Sequence, residues 1–346
     1  MRKLRYNELA SFCLEYGRHS IGYDASVYPG GCDNASKVLA VQGGNAVMAG
    51  YLKPQEIAAV TVETGTTKAR NPLSVMVILG FLAGAFIALG YLLYIRVTAG
   101  APPEWGTITG LIGASLFPIG LILVLLGGGE LLTGNMMAVP LARMKGRITT
   151  GEVVRNLIVI TVSNFLGAIF VAYFFGHIVG LTADGVYLEK TVSVAGHKLE
   201  EGFLQAFVSG IGCNWLVALA VWLAYGSKSF SGKILGIWFP TMTFVAIGFQ
   251  HVVANMFVIP AAIFEGYYGW GEYIMNFIPV WLGNLTGGAV FVAGAYCLAY
   301  LRPNPDAAFP AQTSGTRASA SAVSAAPAAP DTPASSSSSL DHSVTG

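Results

Sequence analysis

The stretch that decides the fold of this chain reads Gly128-Gly129-Glu130-Leu131-Leu132-Thr133-Gly134-Asn135-Met136-Met137-Ala138-Val139-Pro140. A shift of 120 residues finds a second version, with Asn-Met, an aliphatic residue and Pro at the same places, in Gly248-Phe249-Gln250-His251-Val252-Val253-Ala254-Asn255-Met256-Phe257-Val258-Ile259-Pro260. The same shift aligns residues 164–168 with residues 284–288, which both begin with Asn and have Gly at the fourth position. Two separate matches at one offset indicate a duplicated structural unit.

The composition indicates that this duplicated unit lies in a membrane. The chain has 54% hydrophobic and 11% charged residues, and its mean hydropathy is +0.60. Several apolar runs exceed the roughly 18 residues that are typical of a membrane-spanning helix. We predict an all-α integral membrane protein with six spans, near residues 72–97, 108–139, 154–180, 203–225, 234–263 and 276–301.

The repeat also predicts how these spans are arranged. Each copy holds three spans, and an odd number of crossings makes the second copy enter the membrane from the opposite face. The two copies then form inverted three-helix repeats. Such an architecture is typical of proteins that move solutes across membranes.

Basic residues indicate the orientation of the spans. With six crossings, most of them fall on one side of the membrane, which we expect to be the cytoplasmic side. Both termini would then be cytoplasmic, in a multi-pass protein of the plasma or inner membrane. The basic residues on this side are Lys68, Arg70, Arg143, Lys145, Arg147, Lys228, Lys233 and Arg302.

Three regions follow from these patterns. We expect residues 50–302 to form the six-span domain, after an N-terminal extension, residues 1–49, to which we assign no role. Residues 303–346 form a tail of Pro, Ala and Ser that is too poor in large apolar residues to fold. Residues 54–67 are predicted to form a short amphipathic helix on the cytoplasmic surface.

The repeated motif is expected to interrupt two spans. Gly127-Gly128-Gly129 should break the second span, and the residues from Gly248 to Asn255 should break the fifth. Backbone N–H and C=O groups freed at membrane depth are tolerated only where protein or a water-filled cavity surrounds them. Both breaks are therefore predicted to lie beside a pathway.

Three motifs resemble the formate/nitrite transporter family. They are Gly129 to Asn135 in the second span, Cys213-Asn214 in the fourth and Gly248 to Met256 in the fifth. The resemblance covers every span. It implies a homopentamer in which each six-helix protomer has its own pore in an aquaporin-like fold. It also implies passage of a small monovalent anion such as formate or nitrite.

The resemblance further implies roles for individual residues along the pathway. His251 resembles the central pore histidine of the family, Thr133 its partner at the first break, and Asn214 a polar neighbour. Lys198 matches a lysine of the outer vestibule. The resemblance also implies two apolar constrictions, an outer ring of Phe117 and Phe244 and an inner slit of Leu121, Leu131 and Ala254.

Position 250 departs from the family pattern. Members often have Glu immediately before the pore histidine, whereas this chain has Gln250, and Glu130 is its counterpart in the first repeat. We interpret both as polar side chains that serve the backbone at a broken helix, and we assign Asn135 and Asn255 the same structural role. For Glu130 we expect a cap in preference to a role in permeation, since a carboxylate is stabilised near the N-terminus of a half-helix.

His251 is a functional candidate on physical grounds as well. Of the five histidines it is the one expected deep in the membrane, where a charged and unpaired group costs several kcal/mol. Its titration range suits a proton-linked site. The alternative is a neutral histidine, hydrogen-bonded to Thr133 or Asn214, that only holds the break together.

The expected mechanism has three parts. Lys198 raises the local concentration of a small anion at the outer mouth. The apolar constrictions exclude hydrated ions, because removing water from a full charge there costs too much free energy. A weak acid then crosses either as the neutral acid or as an anion that is transiently paired with a proton shared through His251.

Several alternatives stay open at this point. Formate is our first choice of substrate and nitrite the second, with hydrosulfide or lactate also possible. A pore for water, glycerol or ammonia is a second hypothesis, although an aquaporin would have Asn-Pro-Ala where this chain has Gly-Asn-Met and Ala-Asn-Met. A haem-bearing membrane subunit is a third, and bis-histidine ligation would then require His177 to face His251.

The remaining expectations are negative. Neither metal-ligand spacing nor a phosphate-binding loop occurs in the sequence. We therefore expect no enzymatic activity, no catalytic residue, no cofactor and no metal site. The expected partners are the small anion, protons, the lipid bilayer and further copies of the chain, with no nucleic acid among them.

Overall fold

The computed structural model describes residues 50–302, so the N-terminal extension and the C-terminal tail lie outside the described residues. Within residues 50–302 we number ten helical segments. They are α1 (Pro54–Arg70), α2 (Leu73–Thr98), α3 (Thr107–Gly128), α4 (Leu132–Met144), α5 (Thr150–Ile178), α6 (Gly185–Leu199), α7 (Phe203–Gly226), α8 (Phe230–Ile247), α9 (Val252–Phe264) and α10 (Trp270–Tyr300).

Six of these segments are long and apolar enough to span a membrane, namely α2, α3, α5, α7, α8 and α10. The six predicted spans are therefore confirmed. Three of the spans contain π-helical turns, at Leu123–Gly128, Val171–Ile178 and Gly287–Gly294. Such turns widen the helix locally and are frequent near functional sites.

Local sequence signals set where several helices begin. Pro54 occupies the first turn of α1, and the Glu56 carboxylate accepts a hydrogen bond from the Lys53 N–H at 2.6 Å. Thr149 and Glu152 form a reciprocal capping box at the start of α5. These contacts satisfy N–H groups that a helix leaves without partners in its first turn. The structure has a helix where one was predicted over residues 54–67, and this helix extends three residues further, to Arg70.

Two glycines end the interrupted spans. Gly128 is the last residue of α3, with φ +102°, and Gly248 directly follows α8, with φ +91°. No atom lies within 4 Å of where a Cβ would stand at either position, so space does not require glycine there. The left-handed backbone conformation requires glycine, because residues with a Cβ rarely adopt it. Both predicted breaks are confirmed, and the half-helices α4 and α9 begin after them.

Helix packing follows the repeat. In the first copy α2 packs on α5 and α1 packs on α4, while in the second α7 packs on α10 and α6 packs on α9. Each half-helix also packs on the long span of the other copy, α4 on α10 and α9 on α5. The half-helices are buried almost throughout. This arrangement is the one expected of two inverted repeats.

Candidate functional site

One asparagine side chain fastens each break to the neighbouring spans. The Asn164 side chain accepts a hydrogen bond from the Leu132 N–H at 2.9 Å and donates to the carbonyl oxygens of Gly80 and Glu130. Asn284 makes the matching set, with the Val252 N–H and the carbonyl oxygens of Gly210 and Gln250. Both side chains are fully buried. They satisfy backbone groups that the broken helices leave without partners.

A second pair of asparagines repeats in the same way. Asn135 donates to the Glu130 carboxylate at 2.9 Å and to Asn156 at 3.0 Å. Asn255 donates to the Gln250 side-chain carbonyl at 2.7 Å and to Asn276 at 2.9 Å. The structure therefore places Asn135 and Asn255 in networks that connect each break to the following long span.

The two breaks differ in charge. At the first, the Lys68 ammonium lies 2.9 Å from the Glu130 carboxylate, and both side chains are largely buried. At the second, the Lys198 ammonium donates to the carbonyl oxygens of Gly248 at 2.8 Å and Phe249 at 3.2 Å. The Gln250 amide donates instead to the Lys198 carbonyl oxygen. Position 250 therefore supplies no charge to compensate Lys198.

The expected cap by Glu130 is not formed. Leu131 is the residue before α4 and provides no side-chain cap, and Asn164 accepts from the first helical N–H instead. The Glu130 carboxylate contacts Lys68 and Asn135, because a buried carboxylate is stabilised more by a cation than by a helix terminus. Gln250 does serve the backbone, through the Lys198 carbonyl.

His251 is buried at the second break, where both ring nitrogens have partners. Nδ1 lies 3.0 Å from the Ala254 N–H, and Nε2 lies 3.2 Å from the Thr133 hydroxyl. The ring stacks on Phe244, with centroids 5.5 Å apart and planes 19° apart. Because Nδ1 accepts from a backbone N–H, a neutral ring carries its proton on Nε2. His251 is thus the N-cap of α9.

Asn214 lies beside this pair and makes its hydrogen bonds to backbone carbonyls instead of to the histidine. Its amide donates to the Thr133 carbonyl oxygen at 3.2 Å and to the Asn284 carbonyl oxygen at 2.7 Å. The structure brings His251 and Thr133 together, as the sequence predicted, and places Asn214 behind Thr133. Among the described residues, the side-chain oxygen of Asn214 has no hydrogen-bond partner.

A cavity of about 290 Å³ runs along α6 to His251. Phe117 and Phe244 line it with their rings edge to face, 5.8 Å apart, and Ala254 lies on its wall. Lys198 also lines it and is half-buried. Burial lowers the pKa of Lys198, and the nearby Cys213 and Glu201 oppose that shift. Leu121 and Leu131 are buried in the main apolar core instead of on this cavity wall.

Sequence reasoning missed three members of these networks. Asn156 and Asn276 are 120 residues apart, so the repeat offset could have found them. Lys68 and Lys198 are 130 residues apart, because ten more residues separate the lysine from the break in the first copy. The constant offset therefore hides that these lysines correspond.

His177, the second histidine of the haem alternative, lies 2.7 Å from Glu265 and stacks on Tyr173.

Comparison with known proteins agrees with this architecture. A family model described as formate/nitrite transporter matches residues 55–298. The chain is 58% identical over 250 residues to YrhG of Bacillus subtilis (strain 168), described as an uncharacterised transporter, over 72% of this chain and 94% of that protein. It is 54% identical over 250 residues to the formate channel BtFdhC of Bacillus thuringiensis, over 72% of this chain and 96% of that protein.

A solved structure described as a pentameric formate channel with formate bound is similar in fold. The TM-score is 0.58 at 33% sequence identity, over 66% of this chain and 98% of that chain. The six apolar helices and the two broken spans define a multi-pass membrane transport protein. The chain belongs to the formate/nitrite transporter family, and it is a transporter and not an enzyme.

Proposed function

We propose that this chain passes formate across a cell membrane through a pore within each protomer. The observation that carries the proposal is the cavity that joins Lys198 to His251 past the rings of Phe117 and Phe244. The Lys198 cation on the cavity wall attracts a carboxylate, and the apolar ring opposes its passage as a hydrated anion. The relative BtFdhC, a formate channel, supports formate as the substrate.

Formate crosses the ring as formic acid. A neutral molecule escapes the dehydration cost that a full charge meets between Phe117 and Phe244. His251 does not have to take up the proton, because its Nδ1 already accepts the Ala254 N–H. Protonation of Nδ1 would break that cap. The geometry therefore favours a proton carried on the substrate over a proton shared through His251.

The remaining constriction residues have simpler roles in this proposal. We assign Leu121, Leu131 and Ala254 to an inner apolar slit: Ala254 lies on the cavity wall, and Leu121 and Leu131 are buried outside the cavity. Thr133 offers a hydroxyl beside His251. The Asn214 amide donates to the backbone carbonyl oxygen of Thr133 and so positions that residue. Glu130, Gln250, Asn135 and Asn255 hold the two breaks in shape.

The chain functions as a homopentamer in the plasma or inner membrane, with both termini in the cytoplasm. The pentameric state of a formate channel of similar fold supports the assembly. Contacts among basic segments support the orientation: Arg147 pairs with Glu63 of α1 at 2.7 Å, and Lys145 donates to the Leu301 carbonyl oxygen. These contacts gather the positively charged loops on one face, the side that is cytoplasmic in most membrane proteins.

Uptake of labelled formate into proteoliposomes tests the proposal, over roughly pH 5 to 8. Nitrite, hydrosulfide and lactate serve as competitors. We expect uptake to rise toward acidic pH, by up to about tenfold per pH unit for a neutral acid well above its pKa. An imposed proton gradient, acidic outside, should drive accumulation. No formate uptake, together with inhibition of another labelled anion, would retain the fold and replace the substrate.

A further inference from the structure

One face of α6 lines the cavity from end to end. The residues at helical spacing on this face are Lys190, Ser193, Val194, His197 and Lys198, and Glu201 follows just after the helix. Residues three, four, seven and eight apart share a face of an α-helix. Lys190 lies eight residues before Lys198, which is about 12 Å along the helix axis. It therefore stands at the end of the cavity away from His251.

The surroundings of Lys190 leave its charge available. The ammonium lies 5.9 Å from the centroid of the Tyr94 ring, which lines the same cavity. In the part of the chain that the structure describes, Lys190 has no salt bridge, whereas Lys68 has Glu130. Partial burial lowers the pKa of Lys190, because it removes water from the ammonium group.

The charges along the cavity wall do not cancel. Lys190 and Lys198 carry two positive charges, and Glu201 carries one negative charge. His197 lies 3.5 Å from Glu200, and both of these side chains are largely exposed. The wall therefore carries a net positive charge that extends from the cavity mouth to the second break. Such a cleft concentrates anions before they reach a narrow passage.

The first repeat has no equivalent of this residue. Lys68 and Lys198 are 130 residues apart, and the same offset aligns Lys190 with Val60 of α1. The charged side chains near α1 pair with each other, Lys68 with Glu130 and Arg147 with Glu63. Eight residues before its break lysine, α6 thus has a cation without a salt bridge among the described residues, whereas α1 has Val60 at the matching position.

We propose that Lys190 is a second anion-capturing residue, which draws a small carboxylate into the cavity mouth and passes it to Lys198. This inference rests on the proposed function, since it names the residue that first attracts the substrate. Lys190 acts on the encounter with the anion, and not on the passage between Phe117 and Phe244. Its loss therefore raises the apparent KM for external formate and leaves the maximal rate unchanged.

The test is uptake of labelled formate by intact cells that produce the full chain, measured against formate concentration at low and high salt. Three variants are compared, K190Q, K190R and K228Q. Lys228 is an exposed lysine just after the C-terminal end of α7, a helix of 24 residues, whereas Lys198 lies just before its N-terminal end. K228Q therefore changes the net charge equally but far from the cavity.

We expect K190Q to raise KM by about threefold at low salt, and to lose most of this difference at high salt. K190R and K228Q should behave as the unaltered chain does. An unchanged KM in K190Q, or an equal shift in K228Q, would overturn the inference while formate uptake still supports the proposed function. Absence of uptake by the unaltered chain would instead overturn the proposed function.

Discussion

The two breaks share one scaffold of hydrogen bonds and differ in the charged residues around it. Asn164 and Asn284 make the same three hydrogen bonds, 120 residues apart. At the first break Lys68 is paired with Glu130, whereas at the second Lys198 contacts backbone carbonyls. The repeated asparagines preserve the shape of the backbone, and the other positions were free to diverge in charge.

The residue before each half-helix differs as well. Leu131 precedes α4 without a side-chain cap, and His251 precedes α9 and accepts the Ala254 N–H. An apolar side chain at this position can narrow the pathway, while an imidazole can cap the helix and present an N–H at the same time. At the second break one side chain therefore both caps a helix and lies on the cavity wall beside Thr133.

The largest expected effect comes from removing the shared asparagines. N164A and N284A should each destabilise the folded protein by about 3 kcal/mol, because each leaves one buried N–H and two carbonyl oxygens without partners. Thermal unfolding in detergent measures this effect. N71A is the control, since the described contacts give the Asn71 side chain no hydrogen bond. Markedly unequal losses in N164A and N284A would show that the two breaks are not equivalent scaffolds.

The next largest effect concerns charge at the two breaks. Q250E should place a carboxylate where the counterpart Glu130 binds its lysine, and so neutralise Lys198. We expect the apparent KM for external formate to rise by about tenfold at low salt, because the cavity wall loses its net positive charge. Concentration-dependent uptake at two salt concentrations checks this.

Two further variants separate charge from shape at the breaks. Q250M removes the hydrogen bonds of Gln250 without adding charge and should leave KM near that of the unaltered chain. E130Q should leave the positive charge of Lys68 without its carboxylate partner. We expect this to lower the KM for formate that enters from the side of the membrane opposite the Lys198 cavity. If Q250M raised KM as much as Q250E, the loss of hydrogen bonds and not the new charge would be responsible.

A smaller effect is expected from replacing the histidine by an amide. H251N should retain uptake that rises toward acidic pH, because asparagine also accepts a helix N–H and the proton travels on the substrate. H251A should lose the cap, at a cost of about 1 kcal/mol in stability. Uptake of labelled formate at a series of pH values measures the difference. A flat pH profile in H251N would favour the proton shared through His251.

The smallest effect concerns two residues related by the repeat itself. The Trp281 indole N–H donates to the Thr161 hydroxyl at 3.1 Å, and these positions are 120 residues apart. W281F and T161V should each cost about 1 kcal/mol, and the double variant should cost no more than about the same amount. Thermal unfolding of the three variants measures the coupling. Additive losses would mean that the pair does not join the two copies.

The sequence predicts much of the fold and part of the site. Hydropathy predicts six spans, and Gly128 with Gly248 predicts the breaks, because these signals are local in the chain. The same repeat offset that pairs Asn164 with Asn284 would also have found Asn156 and Asn276. The networks around Lys68 and Lys198 escape it, because those lysines are related by a different offset. The expected cap by Glu130 was wrong for a related reason, since its cationic partner lies 62 residues earlier in the chain.

The sequence by itself determined that this is a six-span membrane protein built from a duplicated unit, with one histidine at the second break. Apolar run length, glycine and repetition are properties of consecutive residues, so they can be read without coordinates. Only the tertiary structure decided which charges compensate each other, which nitrogen of His251 faces Thr133, and which face of α6 lines the cavity. Those outcomes depend on contacts between residues about 50 to 120 positions apart, and on burial, which makes an unpaired charge or hydrogen-bonding group costly.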